Sequence, residues 1–240
     1  MGAYTQKSSG FTLVEISIVM IIIGLLIGGT FGGMKLVENM QVNKTVQDLK
    51  AVESAALTFR DTYGRLPGDM PNTAARLPNC TDAPCATGGD GNRLIGAISL
   101  GWSAIANTDE NFTFWSHLQA ADLLSVGVKN TLDMSFGEGQ PEAAVDGGMR
   151  VSHWTSVGMC PARMDRTALA ITSEPSASYN ARSSASCGQL SSIDRKLDDG
   201  LADTGRFVSA WGCISGIEPP CTRPYMTTGV GLPVYDLKGF

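Results

Sequence analysis

The sequence predicts an α+β protein. One long N-terminal helix, half membrane-type and half amphipathic, packs on a small antiparallel β-sheet with a loop-rich, disulfide-bonded C-terminal region. Three observations carry this prediction. Residues 11–34 are apolar, with Glu15 as the only charge among them. Beyond them Val46, Leu49, Val52, Ala56 and Phe59 recur at helical spacing, with Lys44, Gln47, Asp48, Lys50 and Arg60 between them. After Gly64 the pattern changes to short alternating segments separated by Gly, Ser, Thr and Pro.

The apolar run is long enough to cross a bilayer, for which about 20 residues suffice. Glu15 is its anomaly. A carboxylate inside hydrocarbon costs about 2.5–3.5 kcal/mol or more, so it needs a partner and a purpose. Residues 1–10 are polar, with Lys7 and no acid. Lys7 before the span favours a cytoplasmic N-terminus. Within the run lie Gly24, Gly28, Gly29, Gly32 and Gly33. The spacing of Gly28 and Gly32 lets two helices approach closely.

No breaker separates the apolar run from the amphipathic stripe, so a single helix is expected over residues 11–63. Gly64 is placed to cap it and Pro67 to prevent its resumption. An irregular segment follows to about Leu100. It contains Cys80, Cys85 and a polar turn at residues 87–92. Residues 111–126 show helical spacing at Phe114, Leu118, Ala121 and Leu124 and predict a short amphipathic helix. Trp102 and Trp115 read as core or interface residues rather than ligand platforms. Residues 150–157, 167–172 and 206–214 alternate and predict strands. Cys187–Leu197 predicts a helix with Leu190, Ile193 and Leu197 on one face, ended by Asp198-Asp199-Gly200.

Gly10-Phe11-Thr12-Leu13-Val14-Glu15, at the mouth of an apolar helix, resembles the start of the type IV pilins and type II secretion pseudopilins. The resemblance covers the first quarter of the chain. Two later stretches are similar to pseudopilin-like proteins: residues 63–69 (YGRLPGD), and residues 193–200 followed by Thr204-Gly205-Arg206. Many relatives carry a Pro near the end of the span, where this chain has Gly. The resemblance implies that a prepilin peptidase cuts after Gly10 and methylates the amine of Phe11. It also implies that Glu15 serves subunit docking. The chemistry agrees: in staggered parallel helices, Glu15 of one subunit can meet the Phe11 amine of the next, and each charge compensates the other. An ordinary secretory signal is cut after its apolar segment, not before it.

The domains expected are a leader at 1–10, a transmembrane and filament-core helix at 11–34, and an extracytoplasmic pilin-like domain at 35–240. The function implied is a structural subunit of a type IV pilus or type II secretion pseudopilus. The alternative is a minor or tip pilin whose globular domain binds a ligand as an adhesin or in DNA uptake. Implied partners are other copies of the chain, other pilins, the peptidase and an inner-membrane assembly platform. The expected location is a single-pass inner-membrane precursor, then a periplasmic or extracellular filament.

A net charge of −5 on 240 residues argues against nucleic acid as a partner. The sequence offers no HExxH, CxxC, G-x-S-x-G, P-loop or GxGxxG pattern. Its two histidines are His117 and His153; His153, beside Trp154, reads as a half-buried strand residue, and no enzyme is expected. The six cysteines are Cys80, Cys85, Cys160, Cys187, Cys213 and Cys221. An even count in a translocated domain reads as disulfides, and six allow 15 pairings. Short loops close most readily, which favours Cys80–Cys85, Cys160–Cys187 and Cys213–Cys221. No cofactor is firmly expected. Calcium is the one to entertain, because major pseudopilins of the resembling family bind it. The candidate oxygens are Asp90 and Asn92, and a second group of Asp198, Asp199 and Asp203. Neither group forms an EF-type loop, and Asx turns with a solvated helix end are the competing explanation.

Overall fold

The structure, a computed structural model, describes residues 10–99, 106–124, 127–155, 165–175, 185–202, 204–211 and 232–237. The chain forms two compact units, Met1–Met40 and Gln41–Phe240. The first helix, α1 (Leu13–Tyr63), contributes residues to both.

In the first unit every described side chain is exposed, including Leu13, Leu25, Phe31 and Met40. The best 18-residue window of α1 has a mean hydropathy of 2.4 and none of it is buried, so α1 is long and apolar enough to cross a membrane. At Gly24, Gly28, Gly29, Gly32 and Gly33 a Cβ would meet nothing within 4 Å. Their smallness therefore serves no contact among the described residues of this chain.

The second unit is built on the C-terminal part of α1. Val42, Val46, Leu49, Val52, Ala56 and Phe59 are buried there. The stripe read from the sequence thus extends one turn further back, to Val42. Gly64 ends the helix in a left-handed conformation, φ +68, and its N–H donates to the Arg60 carbonyl at 2.8 Å. That is the αL cap expected of a glycine there.

Then come α2 (Thr73–Arg76), β1 (Ala97–Ser99), α3 (Glu110–Ala120), β2 (Gly148–Thr155), β3 (Asp165–Thr172), α4 (Cys187–Leu197), β4 (Phe207–Trp211) and β5 (Leu232–Asp236). The five strands form one sheet in the order β1-β2-β3-β5-β4. β1 runs parallel to β2, and every other pair is antiparallel. Side chains alternate between the faces, as the two-residue period requires. Met149, Val151, Leu169, Ile171, Phe207 and Tyr235 join α1, α3 and α4 in the main core. Ala168, Ala170, Val208 and Val234 form a smaller cluster on the other face.

Three departures from the sequence expectation have physical causes. The helix expected over 111–126 stops at Ala120. Asp122 adopts φ +56, its N–H donates to the Gln119 carbonyl, and the Leu123 N–H reaches back to Leu118. This is a Schellman ending with Asp in the place usually held by Gly. The same helix is not amphipathic, since Asn111, Thr113, Ser116 and His117 are buried along with its apolar residues. Finally, β5 was not among the strands read from the sequence; its sequence, Leu-Pro-Val-Tyr-Asp, contains Pro233, and proline lacks the ladder donor. The structure accommodates it at the end of the strand. β3 pairs only with residues 234–236 of β5, and Pro233 faces β4 where the register shifts between Ser209 and Trp211.

A chain beginning at Lys35 should fold without residues 1–34, because among the described residues nothing buried lies before Val42. The expected outcome is a soluble monomer by sedimentation with one cooperative thermal transition. A molten or aggregated product would show that residues 11–34 belong to the core.

Candidate functional site

The N-terminus of α1 carries the first candidate site. Gly10 and Phe11 are exposed, and the Phe11 ring is 83% accessible. Thr12 stands at the N-cap and Glu15 three positions inside. The Glu15 carboxylate accepts the Thr12 backbone N–H at 2.8 Å and the Thr12 hydroxyl at 2.9 Å. The Glu15 N–H donates to the Thr12 hydroxyl oxygen at 3.3 Å. These bonds form a capping box. The sequence reading assigned Glu15 to docking alone and missed this use, although Thr-x-x-Glu before an apolar run is its signature. Within one subunit the carboxylate is therefore already hydrogen-bonded to its own helix end, where the helix dipole favours negative charge.

The second candidate site is the segment after α1, folded over the start of α3. Cys80 and Cys85 are joined in a disulfide, and Cys187 is also disulfide-bonded. Among the described residues no cysteine is free. Cys160, Cys213 and Cys221 lie outside the described residues, and with them the expected pairs Cys160–Cys187 and Cys213–Cys221. So do Trp102 and Asp203.

His117 holds this segment to α3. Its Nδ1 accepts the Gly68 N–H at 2.8 Å. Nε2 therefore carries the proton, and it lies 3.1 Å from the Cys85 carbonyl to which it donates. The ring stacks on Phe59 of α1 at a centroid distance of 6.4 Å. Gly68 has φ +85, and a Cβ there would stand 2.5 Å from the Glu110 carbonyl, so only glycine fits. Burial pushes the His117 imidazole down to about 4, against a smaller upward pull from the Cys85 and Thr87 carbonyls. His153 lies buried in β2.

Asp90 was expected to work with Asn92. The structure instead brings Asp90 together with Asp69 and Glu110, one carboxylate oxygen of each lying within 4.8 Å of the others. Asn92 is used locally: its Oδ1 accepts the Leu94 N–H at 2.6 Å, and its amide donates to Asp90 at 2.8 Å. Burial is the main force raising Asp69 to about 6. The charges of Glu110 and Asp90 push the same way, against the N–H groups of Arg93 and Gly91. Asp69 and Glu110 were not singled out in the sequence, because only the folded segment brings them to Asp90.

Asp198 and Asp199 meet Asp194 at the end of α4. Their carboxylates shape the turn into β4. Asp198 accepts the N–H of Arg206, Asp199 accepts the N–H of Leu201 at 2.9 Å and the Thr204 hydroxyl, and Asp194 accepts the N–H of Gly200 at 3.3 Å. α4 itself begins with a Ser186–Gln189 capping box and keeps the bounds read from the sequence.

Residues 5–31 match the prokaryotic N-terminal methylation motif. The match lies at the start of α1 and covers only this N-terminal segment. The chain is also similar to the major type IV pilin PilA1 from Clostridium difficile, with a TM-score of 0.36 and 11% identity over 84% of this chain and 96% of that one. No curated protein sequence matches the chain.

His117 sets an acid limit on stability. The unfolded imidazole takes a proton near 6.5 and the folded one only near 4, so the unfolded chain binds more protons between those values and stability falls as pH drops through them. Asp69 acts oppositely: between 3.8 and about 6 the fold holds the proton that the unfolded chain loses. Thermal midpoints of the wild type and a His117→Gln variant across pH 4–7 separate the two effects. The wild-type advantage should shrink as pH falls from 6.5 to 4. A constant difference would show that His117 does not titrate with unfolding.

Proposed function

We propose that this protein is a structural filament subunit, of a pilus or a pseudopilus, assembled through the N-terminal part of α1. The supporting observation is the methylation motif over residues 5–31, set on a helix whose apolar side chains are exposed among the described residues. A surface of that kind is satisfied by lipid before assembly and by other such helices after it. Gly28 and Gly32 suit that second state, in which small residues let backbones approach. The chain acts as a scaffold rather than a catalyst.

In this reading the precursor crosses the inner membrane once, with residues 1–10 in the cytoplasm and the second unit outside. A prepilin peptidase cuts between Gly10 and Phe11 and methylates the new amine. The assembly platform then draws the subunit into the filament, where Glu15 meets the Phe11 amine of a neighbour. Intact mass of the mature protein tests the processing. The expected mass starts at Phe11 and carries one methyl group; a mass that retains residues 1–10 would refute it.

Two substitutions distinguish the uses of Glu15. Glu15→Gln keeps an acceptor for the capping box but loses the charge. Glu15→Ala loses both, and with the charge about 0.3–1 kcal/mol of helix-end stability. If charge pairing drives docking, both variants lose filaments at equal protein level. If capping is the whole role, Glu15→Gln assembles like the wild type.

A further inference from the structure

The group formed by Asp69, Asp90 and Glu110 has features that crowded surface acids lack. Asp69 is fully buried, at 0% exposure. Its Oδ2 accepts the Arg93 N–H at 3.1 Å, but its Oδ1 has no hydrogen-bond partner. Buried polar atoms are almost always paired, and an orphan calls for an explanation such as an ion. No ion pair among the described residues includes any of the three carboxylates. Three carboxylates thus converge with no cationic side chain among the described residues bonded to them.

The surrounding backbone fixes their orientation. Glu110 accepts the N–H of Asp90 on Oε1 and the N–H of Gly96 on Oε2, both at 3.0 Å. Asp90 accepts the Asn92 N–H on Oδ1 at 2.9 Å and the Asn92 amide on Oδ2 at 2.8 Å. Each of these oxygens keeps a free lone pair. The donors hold the carboxylates in place without neutralising them.

We propose that Asp69, Asp90 and Glu110 bind one hard divalent cation, calcium. The donor set is all oxygen, which selects hard cations over zinc or copper. Calcium takes 6–8 oxygens in flexible geometry, whereas magnesium demands a near-ideal octahedron. Three carboxylates delivered by separate stretches of chain suit the flexible ion, with water completing its shell. The cation pins the segment after α1 to the first turn of α3. This inference is independent of filament assembly and survives its failure.

The test uses the full chain in detergent, stripped with EDTA and titrated with CaCl2 by calorimetry. One calcium should bind per chain, and the thermal midpoint should rise with calcium. Asp90→Asn and Glu110→Gln should abolish both effects, while Asp199→Asn at the other acidic group keeps them. In EDTA, Asp90→Asn should melt no lower than the wild type, because it removes one of three repelling charges; this shows that the variant folds. The absence of binding at about 5 mM CaCl2, above the ~10⁻⁴–10⁻³ M range of extracellular calcium modules, would overturn the proposal. So would equal binding by Asp90→Asn and Glu110→Gln, or tighter binding of MgCl2 than of CaCl2.

Discussion

The second unit depends on one face of one helix. Val42, Val46, Leu49, Val52, Ala56 and Phe59 of α1 enter the same core as α3, α4 and the inner face of the sheet. Fully burying a Val, Leu or Phe is worth about 1.5–3 kcal/mol each, so this stripe is a large fraction of what holds a domain together. A polar clamp fixes the register of the contact. Glu53 of α1 pairs with Arg206, and its other oxygen accepts the Tyr235 hydroxyl at 2.7 Å. The Arg206 guanidinium lies 4.8 Å from the Tyr235 ring centre and donates to the Asp236 carbonyl at 2.7 Å. Apolar burial supplies the attraction, and these directional bonds decide where β4 and β5 stop along the helix.

The N-terminal part of α1 poses a different problem. Its apolar residues are exposed among the described residues, and the one carboxylate within residues 11–34 sits at the helix start. The Thr12–Glu15 capping box meets part of that difficulty within a single subunit. A bare carboxylate would be costly near hydrocarbon, whereas one that accepts two hydrogen bonds at a helix N-terminus is less so. Capping and docking are compatible uses of Glu15. The cap fixes the carboxylate close to Phe11, where a neighbour's amine would have to arrive.

What the sequence made legible follows from local rules. The apolar run, the stripe after it, the Gly64 cap, the bounds of α4 and the Cys80–Cys85 loop all depend on residues close together in the chain. What it concealed depends on tertiary context. Asp122 ends α3 in a conformation for which the sequence offered no glycine. β5 carries Pro233, which a strand tolerates here only because it lies beyond the β3 ladder. The assigned partner of Asp90 was the adjacent Asn92, while the real neighbours, Asp69 and Glu110, arrive through the folding of the segment after α1. The sequence assigned His117 no role; its part in joining that segment to α3 appears only when Gly68 and Cys85 are placed beside it.

That segment confines two titratable groups with opposite needs. Gly68, whose N–H donates to His117, is the residue before Asp69. His117 stays neutral in the fold down to about pH 4 because burial resists its charge. Asp69 stays neutral up to about pH 6 for the same first reason, reinforced by Glu110 and Asp90. Between those values neither carries charge, and the buried contact is electrically quiet. Above pH 6 Asp69 ionises beside two other carboxylates, and the neutral imidazole behind Gly68 offers no compensating charge. The balance is therefore asymmetric: acid strains this segment through His117, and neutral pH strains it through Asp69. Of the two, only the strain at Asp69 can be relieved by a bound cation, because the imidazole has both nitrogens committed to the backbone.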